Sequence, residues 1–367
     1  MTALGFRLQL LLGPTVPVPA PLPVIDALEE VAVTSNDRER DGFQLTFGIE
    51  KKPLVDYALL NLGALKPGFR VIVAVFVGPR RELLIDGMIT DVQTRPAGPG
   101  GRALLVVTGE DISLKMDLEH KRVTHPQQAD WQIVTKIVLS YALVPKVIPT
   151  SDTPLPTGRL PSQDGTDLGY VRELAWLNGF VFYVEPAETI GVASAYWGPP
   201  DRLSPPQPPL SLDMGPDSTV ESLTFQHNAL APVEPLVRFI ETQTRQTLPI
   251  PKRDELFRLL SAQPARPMRK TIARGTAKLS GPRAATRMDA ELSRNAEAID
   301  ASGELDAVRY GRVLRPRRLV FVRGAGLSHN GVYYVKRVAH TIRRGSYRQR
   351  FDLTREGLES LIKRLPL

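Results

Sequence analysis

The chain has no cysteine among its 367 residues, which removes disulfide frameworks, thiolate metal sites and cysteine nucleophiles together and suits a reducing compartment. Long apolar runs are missing as well. No window approaches the ~20 consecutive apolar residues of a membrane helix. Leu8-Gln-Leu-Leu-Leu12 is too short for a signal-peptide core and is followed by spaced prolines rather than a small-residue cleavage site. The protein is therefore expected to be cytoplasmic when made, with no direct membrane insertion. Histidine is scarce: His120, His125, His227, His329 and His340 form no metal-ligand pair at helical spacing and no adjacent acidic partner motif. His340 lies inside a strand pattern and reads as a structural histidine. There is no Gly-x-Ser-x-Gly elbow and no phosphate-cradling loop. Gly324-Ala-Gly326 reads as a turn, Ser360-Leu-Ile-Lys363 as a chance Ser-x-x-Lys spacing, and Asp164 and Asp167 as a turn followed by a helix cap. No catalytic residue, cofactor site or metal site is expected, and the chain is not expected to be an enzyme.

What is present is a β-rich chain of ordinary globular composition, 42% hydrophobic and 23% charged, long enough for two or three cores. Phe6–Leu12, Ile25–Thr34, Gly42–Ile49, Phe69–Val77, Leu83–Val92 and Arg102–Thr108 read as strands, being rich in β-branched and aromatic residues between Gly/Pro turns. In one of them Phe43, Leu45, Phe47 and Ile49 alternate with Gln44, Thr46 and Gly48, which predicts antiparallel pairing with one buried face. The middle changes period. Asp130 is placed to cap a helix whose stripe is Trp131, Val134, Ile137 or Val138, and Tyr141. A second helix starts at Thr166 or Asp167, carries Leu168, Val171, Leu174, Ala175 and Leu177, and stops at Gly179, before a strand over Phe180–Val184. Seven prolines between Pro199 and Pro216 predict an extended connector. Ser218–Gln226 and Leu236–Thr242 resume as strands. In the Arg-, Pro- and Ala-rich insertion over 243–303, Ala285, Met288, Leu292, Ala296 and Ile299 keep helical spacing, predicting a helix packed on the second β unit.

Two glycine intervals match: Gly87 to Gly101 and Gly331 to Gly345. Each joins two strand patterns and follows a β-rich run, Val71–Gly78 in one half and Leu319–Gly324 in the other. Fixed-spacing similarity of this kind predicts a duplicated antiparallel β unit. In the last strand Tyr347, Gln349, Phe351 and Leu353 face one way and Arg348, Arg350, Asp352 and Thr354 the other. The formal charge of +8 is uneven, with +11 in residues 306–367 and −3 in residues 1–305. Such an excess points to an anionic partner or to the solvated face of a sheet. Tyr333, Tyr334 and Tyr347 among the arginines keep an oligonucleotide-binding barrel open.

In order and spacing the chain resembles the hub proteins of contractile tails: the phage late control D family, the N-terminal part of VgrG proteins, and the baseplate hubs of extracellular contractile injection systems. The residues that carry the resemblance are Val107-Thr-Gly-Glu-Asp111, Asp130-Trp-Gln-Ile with Tyr141-Ala-Leu143, Gln163 through Ala175 with Asn178-Gly-Phe180, and Gly331 through His340 with Gly345 through Phe351 and Leu353-Thr-Arg355. The resemblance implies a mainly β fold with α+β parts: two related antiparallel β-barrel tube domains and a smaller mixed α/β domain, assembled as a homotrimer. The expected domains are 1–119, the first barrel; 120–198, the mixed domain; 199–217, the Pro-rich connector; and 218–367, the second barrel with its insertion. It further implies a structural hub that adapts a hexameric inner tube to a trimeric spike and lines the channel. Expected partners are further copies of the chain, the inner tube protein, a separate spike protein, and baseplate wedge proteins or cargo. The spike is expected to be separate because this chain ends about a dozen residues after Arg355, where some family members continue. Arg315, Arg317, Arg318, Arg343, Arg344, Arg348 and Arg350 are the candidate contacts with acidic neighbours. Two alternatives remain at this point: a free-standing basic β-barrel that binds nucleic acid or anionic glycan, and a wall-degrading hydrolase, for which no residue can be nominated.

Overall fold

A computed structural model of the chain describes residues 5–50, 57–97, 102–150, 152, 160–240, 246–250, 259–273 and 279–361. The first half supplies strands β1 (Phe6–Gly13), β2 (Leu28–Asn36), β3 (Gly42–Ile49), β4 (Arg70–Val77), β5 (Arg80–Arg95) and β6 (Ala103–Asp111). A mixed region follows, with β7 (His120–Thr124), α1 (Asp130–Ser140), β8 (Val144–Val147), β9 (Ser162–Thr166), α2 (Asp167–Asn178), β10 (Val181–Pro186) and β11 (Ala193–Gly198). The second half supplies β12 (Gln207–Ser211), β13 (Val220–His227), helix α3 (Gly281–Arg294), β14 (Ile299–Asp306), β15 (Leu319–Arg323), β16 (Gly331–Arg343) and β17 (Ser346–Arg355). Among the described residues no helix is long and apolar enough to cross a membrane.

The expected duplication is present in the strand order. One half runs β1-β4-β5-β6-β3-β2 and the other β12-β15-β16-β17-β14-β13, in the same neighbour relations. They differ in that β1 pairs antiparallel with β4, whereas β12 pairs parallel with β15. Register ties the copies together more closely than glycine spacing does. A bulge interrupts β5 against β6 at Thr90, and another interrupts β16 against β17 at Lys336. A bulge in β2 at Glu29 is matched by one in β13 at Glu221. These bulges make Tyr333, not Gly331, the counterpart of Gly87, so the glycine match lies two residues out of register on that strand. Gly101 lies outside the described residues.

Neither unit closes into a separate barrel. The C-terminal half of β16 pairs antiparallel with β2, from Arg337 opposite Asn36 to Arg343 opposite Glu30. Each unit therefore takes up an edge of the other, and the main path runs open-ended from β13 through β16 and β2 to β1. One apolar core follows this path, from Leu45, Phe47, Val71 and Leu105 to Tyr333, Phe351 and Leu353. The period-2 pattern holds in β17, where Tyr347, Gln349, Phe351 and Leu353 are buried and Arg348 and Arg350 exposed.

The mixed region has its own core around Ile133, Val138, Leu174, Phe182 and Trp197. Helix α2 begins on Thr166, whose Oγ1 accepts from Gly169 N–H at 3.1 Å, and ends on Gly179 at φ +70°. Helix α1 is capped differently from expectation. Ala129 holds the cap position, its N–H donating to Gln132 Oε1 at 2.9 Å. Asp130 is instead buried, accepting from Asn178 Nδ2 at 2.9 Å and facing Arg283 Nη1 at 3.4 Å. Its carboxylate ties α1 to α2 and α3.

Helix α3 is shorter than its apolar spacing suggests. It ends at Arg294, with Asn295 Nδ2 donating to Glu291 O at 2.8 Å, and Ile299 belongs to β14. Its stripe of Ala285, Met288 and Leu292 packs with Val237 and Ile250 of the second half, and another side packs on α2, close enough that a Cβ on Gly179 would sit 2.6 Å from Ala290 Cα. The guanidinium of Arg287 lies 3.5 Å over the Trp176 ring. Gly179→Ala should therefore lose stability twice, through the left-handed backbone and through the displaced helix, by about 1 kcal/mol or more. Urea unfolding of the variant and the parent measures it.

Candidate functional site

The seven candidate arginines fall along the inter-unit seam and the outer face of the second unit. Arg343 donates to Glu30 at 2.6 Å across the β16–β2 seam, and Arg344 Nη2 donates to Asp26 O at 2.6 Å. Arg348 bridges Glu221 at 2.6 Å and Glu304 at 3.0 Å, and Arg350 meets Glu304 at 3.1 Å. Arg315 pairs with Glu82 of the first unit. Arg318 reaches Glu185 at 3.4 Å and Asp201 at 3.7 Å. Six of them thus pair within the chain while keeping part of their surface exposed.

Arg317 differs from the rest in being only 2% exposed. Its Nε and Nη2 donate to Asn36 O at 2.8 and 2.6 Å, and Nη2 meets Asp41 Oδ1 at 2.5 Å. The guanidinium lies 4.2 Å over the Tyr183 ring, with Glu185 at 3.5 Å. Three bodies converge here: Asn36 and Asp41 flank the β2–β3 turn, Tyr183 and Glu185 come from β10, and Arg317 comes from the loop before β15. Its backbone sits at φ +62°, where a side chain adds strain. The counterpart in the first unit is Gly68 at φ +85°. Gly68 N–H donates to Ile89 O and Arg317 N–H donates to Val335 O, so both residues clasp their bulged strand in the same way.

Around this joint lies a charged cleft of about 450 Å³ lined by Arg80, Arg81, Glu82, Glu185, Arg315 and Arg318. Arg70 fixes the mixed region to β4, with a two-pronged contact to Asp86 at 2.7 and 2.6 Å and a bond to Gly191 O at 2.9 Å. Arg81 holds Glu188 O at 2.6 Å. Burial, together with the nearby Asp111 carboxylate, pushes Asp41 up to about 7, while Arg317 draws it down.

His340 borders the cleft but is buried. Gln349 clamps Leu314, its Oε1 accepting from Leu314 N–H at 3.0 Å and its Nε2 donating to Leu314 O at 2.9 Å. The amide orientation being fixed, Nε2 also faces His340 Nδ1 at 3.3 Å as a donor. Nδ1 is therefore the acceptor and the ring proton sits on Nε2. Burial depresses this histidine to about 3, so it stays neutral, in keeping with the structural role read from its strand position.

Asp167, the expected cap, is a buried carboxylate that accepts from Lys121 Nζ and Tyr141 Oη at 2.6 Å each and from Gln163 Nε2 at 2.8 Å. Burial raises its pKa, and these donors outweigh burial and hold it below the ordinary value. The sign follows: its contribution is present above the unfolded Asp value of about 3.9 and is lost as pH falls through the lower folded value. Asp167→Asn should be less stable than the parent at pH 7, and the gap should shrink below about pH 4. Urea midpoints across that range test it.

No group of acidic and histidine side chains among the described residues is arranged to hold a metal ion. The joint is built of guanidinium–carboxylate and guanidinium–carbonyl contacts, an arrangement suited to holding three bodies in fixed relation. Asp41, Glu185 and Asp201 were not singled out in the sequence because each lies more than a hundred residues from its arginine. The one signal that could have found them is the acidic excess of residues 1–305, which complements the basic excess of the last segment.

No family model matches the chain, and no curated protein matches it. Solved structures share its fold. A tail protein from Neisseria meningitidis MC58 superposes with a TM-score of 0.64 at 13% identity, covering 97% of this chain and 98% of that one. The 43 kDa tail protein of prophage MuSo2 from Shewanella oneidensis gives 0.64 at 13% identity, covering 96% and 100%. A component of the E. coli type VI secretion system, described as similar in structure to T4 bacteriophage tail proteins, gives 0.56 at 13% identity, covering 93% and 78%. The chain therefore has a tail-protein fold over nearly its whole described length.

Proposed function

We infer that the protein is a structural hub of a contractile injection system or phage-tail-like baseplate, working as a homotrimer that joins a hexameric inner tube to a separate trimeric spike. The observation that carries this reading is the duplication: two units with the same strand order and matching bulges, fused along one sheet that stays open at both ends. Three copies with two like units each offer near-sixfold symmetry to a tube, while the parts outside the duplication keep true threefold symmetry for a spike. The tail-protein fold of the Neisseria and Shewanella structures supports the same setting.

The polar face of the seam bears a shallow trough of about 710 Å³ lined by residues including Thr34, Asn36, Thr224, Gln226, Arg337 and Asp352. A trough lined by polar side chains suits the lining of a water-filled channel. The Arg317 joint suits a part that must carry contraction force without shearing between its units. Arg315, Arg343, Arg344, Arg348 and Arg350, the exposed members of the seven, are the proposed contacts with acidic neighbours.

Light scattering on the purified chain tests the assembly. Three chains of 40.5 kDa should give about 120 kDa. A mass that stays at that of one chain at every concentration, with or without tube protein, contradicts the reading.

A further inference from the structure

The seam between the two units has a counterpart that a single chain leaves unmade. Within the chain, the C-terminal half of β16 pairs with β2. Its equivalent by the bulge register is the C-terminal half of β5, and the equivalent of β2 is β13. Both are free edges among the described residues: β13 pairs only with β14, and β5 beyond Ile89 pairs only with β6. Unpaired strand edges are templates for further strands.

We propose that β13 of one copy pairs antiparallel with the end of β5 in the next, head to tail around a ring. The register is inherited from the inner seam. Arg337 opposite Asn36 becomes Asp91 opposite Asn228, Ala339 opposite Thr34 becomes Gln93 opposite Gln226, and Thr341 opposite Ala32 becomes Arg95 opposite Thr224. This deepens the trimeric hub reading and rests on it.

Side chains at the free edges carry the signature of a missing neighbour. Val338, Val33 and Val31 are each at most 1% exposed at the inner seam. Their counterparts Val92, Phe225 and Leu223 are only half-buried, though they face the same core. The strand ends also match: Asn36 Oδ1 accepts from Arg38 N–H at 2.9 Å, and Asn228 Oδ1 accepts from Leu230 N–H at 3.0 Å. Asp37 N–H donates to the carbonyl of bulged Lys336 at 3.0 Å; in the ring, Ala229 N–H meets the carbonyl of Thr90 of the neighbouring copy.

The two seams differ in how they are locked. Gly68 stands where Arg317 clasps Asn36 and Asp41, and Ser222 and Ala97 stand where Glu30 and Arg343 pair. The seam between copies therefore lacks both ion pairs and is the weaker, so the ring comes apart into folded chains rather than into unfolded units.

The absence of cysteine makes this directly testable. The double variant Gln93→Cys/Gln226→Cys places two thiols opposite each other on the exposed polar face, within the Cα separation of about 4.4–6.8 Å that a disulfide spans. Gln93→Cys/Thr224→Cys is the register-shifted control. Under mild oxidation the first pair should lose its single-chain band to a covalent ladder ending at three chains, and reductant should restore it. The shifted pair and the single variants should stay largely uncross-linked. If light scattering gives a trimer while the first pair fails to cross-link, the strand pairing is wrong and the trimeric hub stands. A single-chain mass together with no cross-link overturns both.

Discussion

Replacing Arg317 with leucine should destabilise the protein by about 3–5 kcal/mol, the usual result of removing one partner from a buried ion pair. The loss comes from what is left behind. Asn36 O loses two donors, Asp41 loses its guanidinium at 2.5 Å, and Glu185 loses its buried partner at 3.5 Å. Asp41 is buried, and there an unsatisfied polar group keeps its desolvation penalty. The double variant Arg317→Leu/Asp41→Leu should recover part of the loss, because Asp41 is no longer left as a lone buried carboxylate, while Asn36 O still lacks its two donors. Urea unfolding of the parent, both single variants and the double variant reads the coupling. Additive single effects would show that the two side chains do not act as a pair.

Arg355 should be as sensitive for a different reason. Its buried guanidinium has three carbonyl partners, Gly357 O at 2.7 Å, Asn330 O at 3.0 Å and Ser328 O at 3.0 Å, and it lies 4.4 Å over the Tyr333 ring. It pins the turn before β16 to the strand after β17. Arg355→Met keeps the apolar stem and removes every donor; Ser328 O still accepts from Glu359 N–H at 3.1 Å, so the loss falls on Gly357 O and Asn330 O, and a buried carbonyl left unpaired costs about 1–3 kcal/mol. A total of about 3 kcal/mol or more is expected. Arg355→Lys should restore only part, since an ammonium cannot span three carbonyls that a planar fork spans. Hydrogen exchange should rise first over 325–330 and 357–361. Uniform faster exchange across the sheet would instead mean that Arg355 supports the whole core.

The sequence carried the strands of both halves because alternation is a direct record of one buried face, as Phe43, Leu45 and Phe47 or Tyr347, Phe351 and Leu353 show. Helix α2 was legible from Thr166 to Gly179 because both ends carry residues with a local reason to be there. The duplication was legible, but its register was not. A bulge at Thr90 or Lys336 has no compositional mark, whereas glycines attract attention wherever they fall, so the intervals matched while the strands were offset by two residues. The better marks, Glu29 with Glu221 and Asn36 with Asn228, mean little until the ladders are seen. The expectation of two closed barrels failed at the one pairing that no local pattern encodes, β16 on β2. The arginines were found by their number; their acidic partners were not, because ion pairs between residues so far apart leave no spacing in the chain.

The proposed place of this protein as the hub of a tail-like particle can be read by sedimenting large particles from producing cells and analysing their composition by mass spectrometry. The chain should pellet with sheath, tube and spike proteins, in about the same copy number as the spike and far below the tube. Intact sheathed particles that pellet without it, while it stays in the soluble fraction, would mean that it is not a hub.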